Sequence, residues 1–131
     1  MHHLPSLVTQ GIRVTVRSEY APHESSPGHQ YFVFSYEIEI ANESRSPVQL
    51  LSREWRITDA LGVKRLVQGE GVVGQQPVIA PGASYRYVSG CHFETPVGRM
   101  EGFYLMLRQD NAARFEVQIP AFVMALPALS N

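Results

Sequence analysis

Alternation of apolar and polar residues predicts an all-β protein, an antiparallel sandwich of about seven strands. Most of the chain runs in segments with a period of two, one face apolar and the other polar. Clusters of Gly, Pro, Asn and Ser punctuate those segments at short intervals. No long segment carries the helical period of about 3.6 residues together with end caps.

Ile12–Tyr20 opens the series, with Ile12, Val14, Val16 and Tyr20 alternating against Arg13, Thr15, Arg17 and Glu19. Residues 21–29 hold two prolines, a glycine and two serines, which predicts a solvated loop. Residues 30–41 place Phe32, Phe34, Tyr36, Ile38 and Ile40 on one face and Ser35, Glu37 and Glu39 on the other. A polar turn follows over 42–47. Val48–Asp59 is a third strand whose phase slips: Val48 and Leu50 share one parity, Leu51, Trp55 and Ile57 the other. A one-residue bulge reconciles them. Leu61-Gly62 marks a turn, and 63–68 reads as a short strand. Residues 69–82, with four glycines and two prolines, form a long connection or irregular edge. Ser84–Phe93 sets Tyr85, Tyr87 and Ser89 on one face. Residues 98–108 are apolar on both faces, Phe103, Leu105 and Leu107 against Met100, Tyr104 and Met106, so this strand belongs in the middle of a sheet. Residues 114–123 alternate through Phe115, Val117 and Ile119 until Pro120 removes a donor, which suits an edge or a bulge.

Strands of this number and spacing point to a sandwich of immunoglobulin or fibronectin type III kind, with Trp55 between the sheets. With no repeat or linker in sight, residues 1–131 are expected to form one domain, the first ten being a loosely ordered N-terminal segment.

Composition narrows the function. The 11 basic and 12 acidic residues give a net charge of -1, which argues against nucleic acid as a partner. Ten of the basic residues are arginine, the residue suited to bidentate pairing with carboxylate or phosphate. The lone Cys91 cannot form an internal disulfide. No apolar run reaches the ~20 residues of a membrane span, and the first residues lack the pattern of a secretory signal. A cytoplasmic protein with no membrane partner is the expectation.

Chemistry is thinly represented. Cys91 and His92 are sequence neighbours and so face opposite sides of a strand, which makes Cys91 a buried thiol rather than a nucleophile. His23, His29 and His92 are scattered, and Asp59, Glu70, Glu94 and Glu101 show no metal-ligand spacing. No catalytic residue, metal ligand or cofactor is expected. One motif invites a ligand: Gly69-Glu-Gly-Val-Val-Gly74, a G-x-G-x-x-G. Its dinucleotide-binding meaning requires a helix next, and Pro77 and Pro81 arrive too soon. Glycine amides can still form an anion-binding nest, with Arg53, Arg56, Arg65 or Arg86 completing it. The same glycines equally serve positive-φ turns.

Several ordered motifs resemble the ApaG family, also called CorD. They are residues 50–59 (LLSREWRITD), 69–77 (GEGVVGQQP), Pro81-Gly82, 87–90 (YVSG), Thr95-Pro96, Gly98, 100–102 (MEG) and 119–122 (IPAF). The resemblance implies a fibronectin type III-like sandwich without established enzymatic activity. It also implies a protein-binding role in related eukaryotic domains and a link to magnesium and cobalt homeostasis. The family's glycine loop implies pyrophosphate or a dinucleoside polyphosphate as ligand, a role that carries onto Gly69, Gly71 and Gly74. Glu54 stands where the family commonly has histidine, and the last turn reads Asp110-Asn-Ala-Ala without its usual glycine. The expectation is a non-enzymatic module with a protein partner. The alternative is a small-anion sensor built on Gly69, Gly71, Gly74, Arg53 and Arg65.

Overall fold

The computed structural model describes residues 4–127. Nine strands follow in order: β1 (Ser6–Thr9), β2 (Ile12–Tyr20), β3 (Phe32–Asn42), β4 (Val48–Asp59), β5 (Lys64–Glu70), β6 (Val78–Ile79), β7 (Ser84–Phe93), β8 (Val97–Arg108) and β9 (Arg114–Ala125). They form two antiparallel sheets, ordered β1-β2-β3-β7 and β5-β4-β8-β9, with the short β6 also pairing with β4. The architecture is the expected all-β sandwich. Single 3-10 turns stand at Pro22–Glu24 and Pro27–His29 within the predicted loop.

The core lies where the apolar parities meet. Ile12, Val14 and Val16 of β2 and Phe34, Tyr36, Ile38 and Ile40 of β3 face Leu50, Trp55, Met100, Tyr104, Met106, Val117 and Ile119 of the other sheet, all buried. Trp55 is 2% exposed. Its ring packs edge-on against Tyr36 across the sandwich at 5.5 Å and against Phe122 of its own sheet at 6.0 Å.

Both predicted irregularities are present. The β4 register slips between Leu50 and Ser52, which lets Leu50 and Trp55 point inward despite their opposite parity. Against β9, the β8 register slips between Met100 and Gly102. Pro120 falls in that slip on an edge strand, where its missing N–H breaks no ladder. β8 is central, between β4 and β9.

One expectation is corrected. Residues Ser6–Thr9 of the N-terminal segment are not loosely ordered: they pair with Ile12–Thr15 as β1, joined by a turn at Gln10 and Gly11 with φ of 48° and 82°. Thr9 Oγ1 also accepts the Gln118 N–H at 3.2 Å, closing β1 onto β9. The stretch 69–82 is the expected irregular edge: it finishes β5, turns, and supplies the two-residue β6 against β4.

The polar turn after β3 hides a buried hub. Asn42 is 1% exposed. Its amide donates to the carbonyls of Ser46 (2.8 Å) and Ile79 (2.9 Å) and accepts from the Ser44 N–H (2.9 Å) and hydroxyl (2.6 Å). Asn42→Ala strands those partners and should cost about 2–3 kcal/mol, read as a lower urea midpoint at unchanged slope.

Candidate functional site

Sequence places the candidate residues on β4 and β5, and the register decides which of them meet. Arg53 pairs with Gly69, Trp55 with Val67 and Ile57 with Arg65, so all of these side-chain positions share the inward face of the second sheet. Opposite them runs β7, the edge strand of the first sheet. The space between is a cleft of about 260 Å³ lined by Arg53, Arg65, Tyr36, Ser89 and His92, with Trp55, Val67 and Met100 as apolar walls.

The glycine-rich segment is a tight turn and starts no helix. Val72 and Gln75 exchange backbone hydrogen bonds (2.8 and 2.9 Å). The Gly71 N–H donates to the Leu51 carbonyl at 2.8 Å, and Gln76 Nε2 donates to the same oxygen at 2.8 Å. That carbonyl belongs to the residue the β4 bulge turns outward, so the bulge anchors the turn. Gly71 has φ +61° and a Cβ there would lie 2.2 Å from the Gln75 carbonyl oxygen, a position only glycine fills. The amides of Gly71, Val72 and Gln75 are thus engaged with carbonyls, while Gly74 stands at the open tip.

Gly69 does something else. A Cβ there would meet Arg53 Nη1 at 2.8 Å, so the bare backbone makes room for the guanidinium. Lying over Gly69, Arg53 donates through Nη1 to the carbonyls of Glu70 (3.1 Å) and Gly71 (2.9 Å). Arg65, four residues earlier on β5, reaches across to β7 instead. It donates through Nη2 to the His92 carbonyl (2.7 Å) and the Cys91 sulfur (3.3 Å), and its Nη1 lies 3.2 Å from His92 Nε2. The structure therefore joins Arg53 with Gly69 and Gly71, sets Arg65 at the other end of the cleft, and leaves Gly74 apart from both.

The sequence reading missed Tyr36, Ser89 and His92 as cleft residues. Tyr36 sat among apolar core positions and Ser89 beside tyrosines, with no local signal that they line a cavity. Burial raises the Tyr36 hydroxyl above its ordinary value, opposed by its hydrogen bond with Ser89 and by the nearby Arg53 charge. Burial likewise raises the Cys91 thiol, against the lowering influence of Arg65. A buried, protonated thiol is a packing group at neutral pH.

Deeper in, the hydroxyls of Tyr87 and Tyr104 hydrogen-bond to each other at 2.5 Å. Burial holds both well above the ordinary tyrosine range. An unfolded tyrosine ionises near pH ~10, so the stability these neutral phenols contribute is complete below that pH and lost as pH rises toward their folded values. Cys91 adds a loss of the same sign that starts above its ordinary value of 9.0. The urea midpoint should hold from neutrality to about pH 9 and then fall. Tyr87→Phe alone should cost about 1–2 kcal/mol by orphaning Tyr104, whereas the double phenylalanine variant should cost less than the two single changes added and flatten the alkaline fall.

Comparison with known proteins places this geometry among relatives. The family model described as ApaG domain matches residues 22–108. Protein ApaG of Methylobacterium sp. (strain 4-46) is 49% identical over 119 residues, 91% of either chain. Protein ApaG of Escherichia coli (strain K12 / DH10B) is 48% identical over 116 residues, 88% of this chain and 92% of that one. The crystal structure of a putative ApaA protein from Bordetella pertussis superposes with a TM-score of 0.86 at 41% identity, covering 95% of this chain and 97% of the other. The C-terminal domain of wzt shares the fold at a TM-score of 0.55 and 7% identity, over 92% of this chain and 75% of that domain.

Proposed function

The chain belongs to the ApaG family, and from that premise we propose that it is a non-enzymatic binding module that holds a protein partner along the free edge of its second sheet. The observation that carries this reading is β5. It is a seven-residue strand bonded on one side only, to β4, and it presents Leu66 at 59% and Val67 at 37% exposure. An edge of that length offers a row of unpaired N–H and C=O groups to an extended segment of another chain, and alternate side chains supply the specificity. Protein surfaces usually blunt such edges with proline or a bulge; β5 has neither, and its charged residues, Lys64, Arg65 and Glu70, stand at its two ends. The titratable groups of the interior also favour binding over chemistry. Tyr36, Tyr87, Tyr104 and Cys91 are all shifted toward their neutral forms, away from the values a general base or nucleophile needs near pH ~7. Cys91 is a free buried thiol, which suits the reducing cytoplasm as the working compartment. No helix among the described residues is long and apolar enough to cross a membrane.

The test is hydrogen exchange on the complex with a partner captured from the native cell. Amides of Lys64–Glu70 should slow on binding, and a Leu66→Lys variant should lose the partner. Val88→Lys, at a 58% exposed position on the other open edge, should keep it. Protection confined to other strands, or a complex indifferent to the β5 variant, would refute the assignment.

A further inference from the structure

The cleft behind β5 has features that strand addition at the outer edge does not use. Its lining includes two arginines and no aspartate or glutamate. Neither Arg53 nor Arg65 takes part in the ion pairs found among the described residues, which join Arg13 to Glu43, Arg86 to Glu39 and Arg99 to Glu101. The Glu70 and Gly71 carbonyls hold Arg53 by Nη1 alone. Its Nε and Nη2 have no protein acceptor among the described residues, and no buried side-chain nitrogen there is left unpaired, so solvent reaches these donors. A guanidinium pinned at one corner with its other edge free is already oriented for a bidentate acceptor.

We infer that this cleft binds a small oxyanion, a phosphate or carboxylate group, with Arg53 as the principal anchor and Arg65 and the Ser89 hydroxyl as further donors. Arg53 lies at the inner end, close enough to the buried tyrosines for its charge to oppose the rise of the Tyr36 hydroxyl. Arg65 closes the other end. Its hydrogen bonds to β7 commit part of the guanidinium and leave Nε free. On its far side a separate notch carries Asp59 and Glu94, which offset its charge and make it the weaker of the two anchors. Sites for drug-sized ligands span about 300–1,000 Å³, so a cleft of about 260 Å³ accepts an anionic headgroup rather than a whole nucleotide. Gly69 belongs to the site through what it lacks, since any side chain there displaces Arg53. The inferred anion site lies apart from the tip of the glycine turn, and the amides of Gly71, Val72 and Gln75 are spent on carbonyls.

Amide and arginine Nε NMR signals, followed during titration at constant ionic strength, test the inference. The probes are inorganic phosphate, pyrophosphate and succinate, with sodium chloride as the control for ionic strength alone. Saturable shifts are expected at Ser89, Gly90, Cys91 and His92 and at Arg53 Nε, and the stronger probe identifies phosphate or carboxylate as the preferred group. Arg53→Gln should weaken binding about tenfold and Arg65→Gln about threefold. Because Arg53 also braces the turn, Arg65→Gln is the variant that keeps the test valid should Arg53→Gln misfold. Absence of saturation by about 10 mM of every probe, or shifts centred on Val73 and Gly74, would overturn the site. Leu66→Lys, at a position that does not line the cleft, should leave the anion shifts in place, which separates this site from the partner edge.

Discussion

Trp55→Ala should cost about 3–5 kcal/mol, the largest loss expected from any single side-chain truncation in this protein. At 2% exposure the indole gains nothing from solvent, and no other tryptophan is present in the chain to share its place. Its ring meets Tyr36 at 5.5 Å with 66° between planes and Phe122 at 6.0 Å with 82°. Tyr36 and Phe122 also meet each other at 5.9 Å, so removal of the indole empties the centre of a three-ring cluster that spans both sheets. Edge-to-face packing adds about 0.5–1.5 kcal/mol per pair to the area term, and the strands, tied by their ladders, cannot collapse to fill the void. Trp55→Phe should keep part of this contact and cost about half as much. Unfolding must be followed by circular dichroism, because the substitution removes the fluorophore. A measured cost below about 1 kcal/mol would show that the sheets are not held together through this ring.

Gly102→Ala should destabilise by about 3 kcal/mol or more, or prevent folding outright, although the added group is a single methyl. Gly102 sits on the central strand β8, opposite Trp55, where the pairing with β9 slips. A Cβ at that position would lie 2.0 Å from the Glu54 carbonyl oxygen and 3.0 Å from its carbon. Both are backbone atoms of a paired strand, so relief requires β4 and β8 to move apart and to give up ladder bonds beneath Trp55. Gly28→Ala is the matched control: nothing lies within 4 Å of its Cβ position and its φ is ordinary, so its effect should stay within about 0.5 kcal/mol. Equal effects of the two changes on the urea midpoint would contradict the close approach of β4 and β8.

Only the first of these effects was foreseeable from residue patterns. Trp55 announces itself by position on an alternating strand, whereas Gly102 lies in an unremarkable Met-Glu-Gly run, and its closeness to Glu54 depends on the register between strands far apart in sequence. Asn42 is similar: its turn reads as polar and solvated, and only the return of β6 brings the Ile79 carbonyl over it and buries it. For the candidate site, sequence nominated Arg53, Arg65, Gly69, Gly71 and Gly74 together, as though they surrounded one ligand. Pairing of β4 with β5 separates them, Arg53 over Gly69 and Arg65 beside Ile57, while the glycine turn closes on itself.

Alternation is a local property. A pleated backbone sends successive side chains to opposite faces, so the strands, the bulge near Leu50 and the disruptive place of Pro120 could all be read from residues close in the chain. Which faces confront each other is a matter of register and layering, settled by contacts between distant segments. The tertiary structure alone decided that Tyr36, Ser89 and His92 would meet the two arginines, because β3, β7, β4 and β5 come together only when two sheets close over a shared core and leave one side ajar.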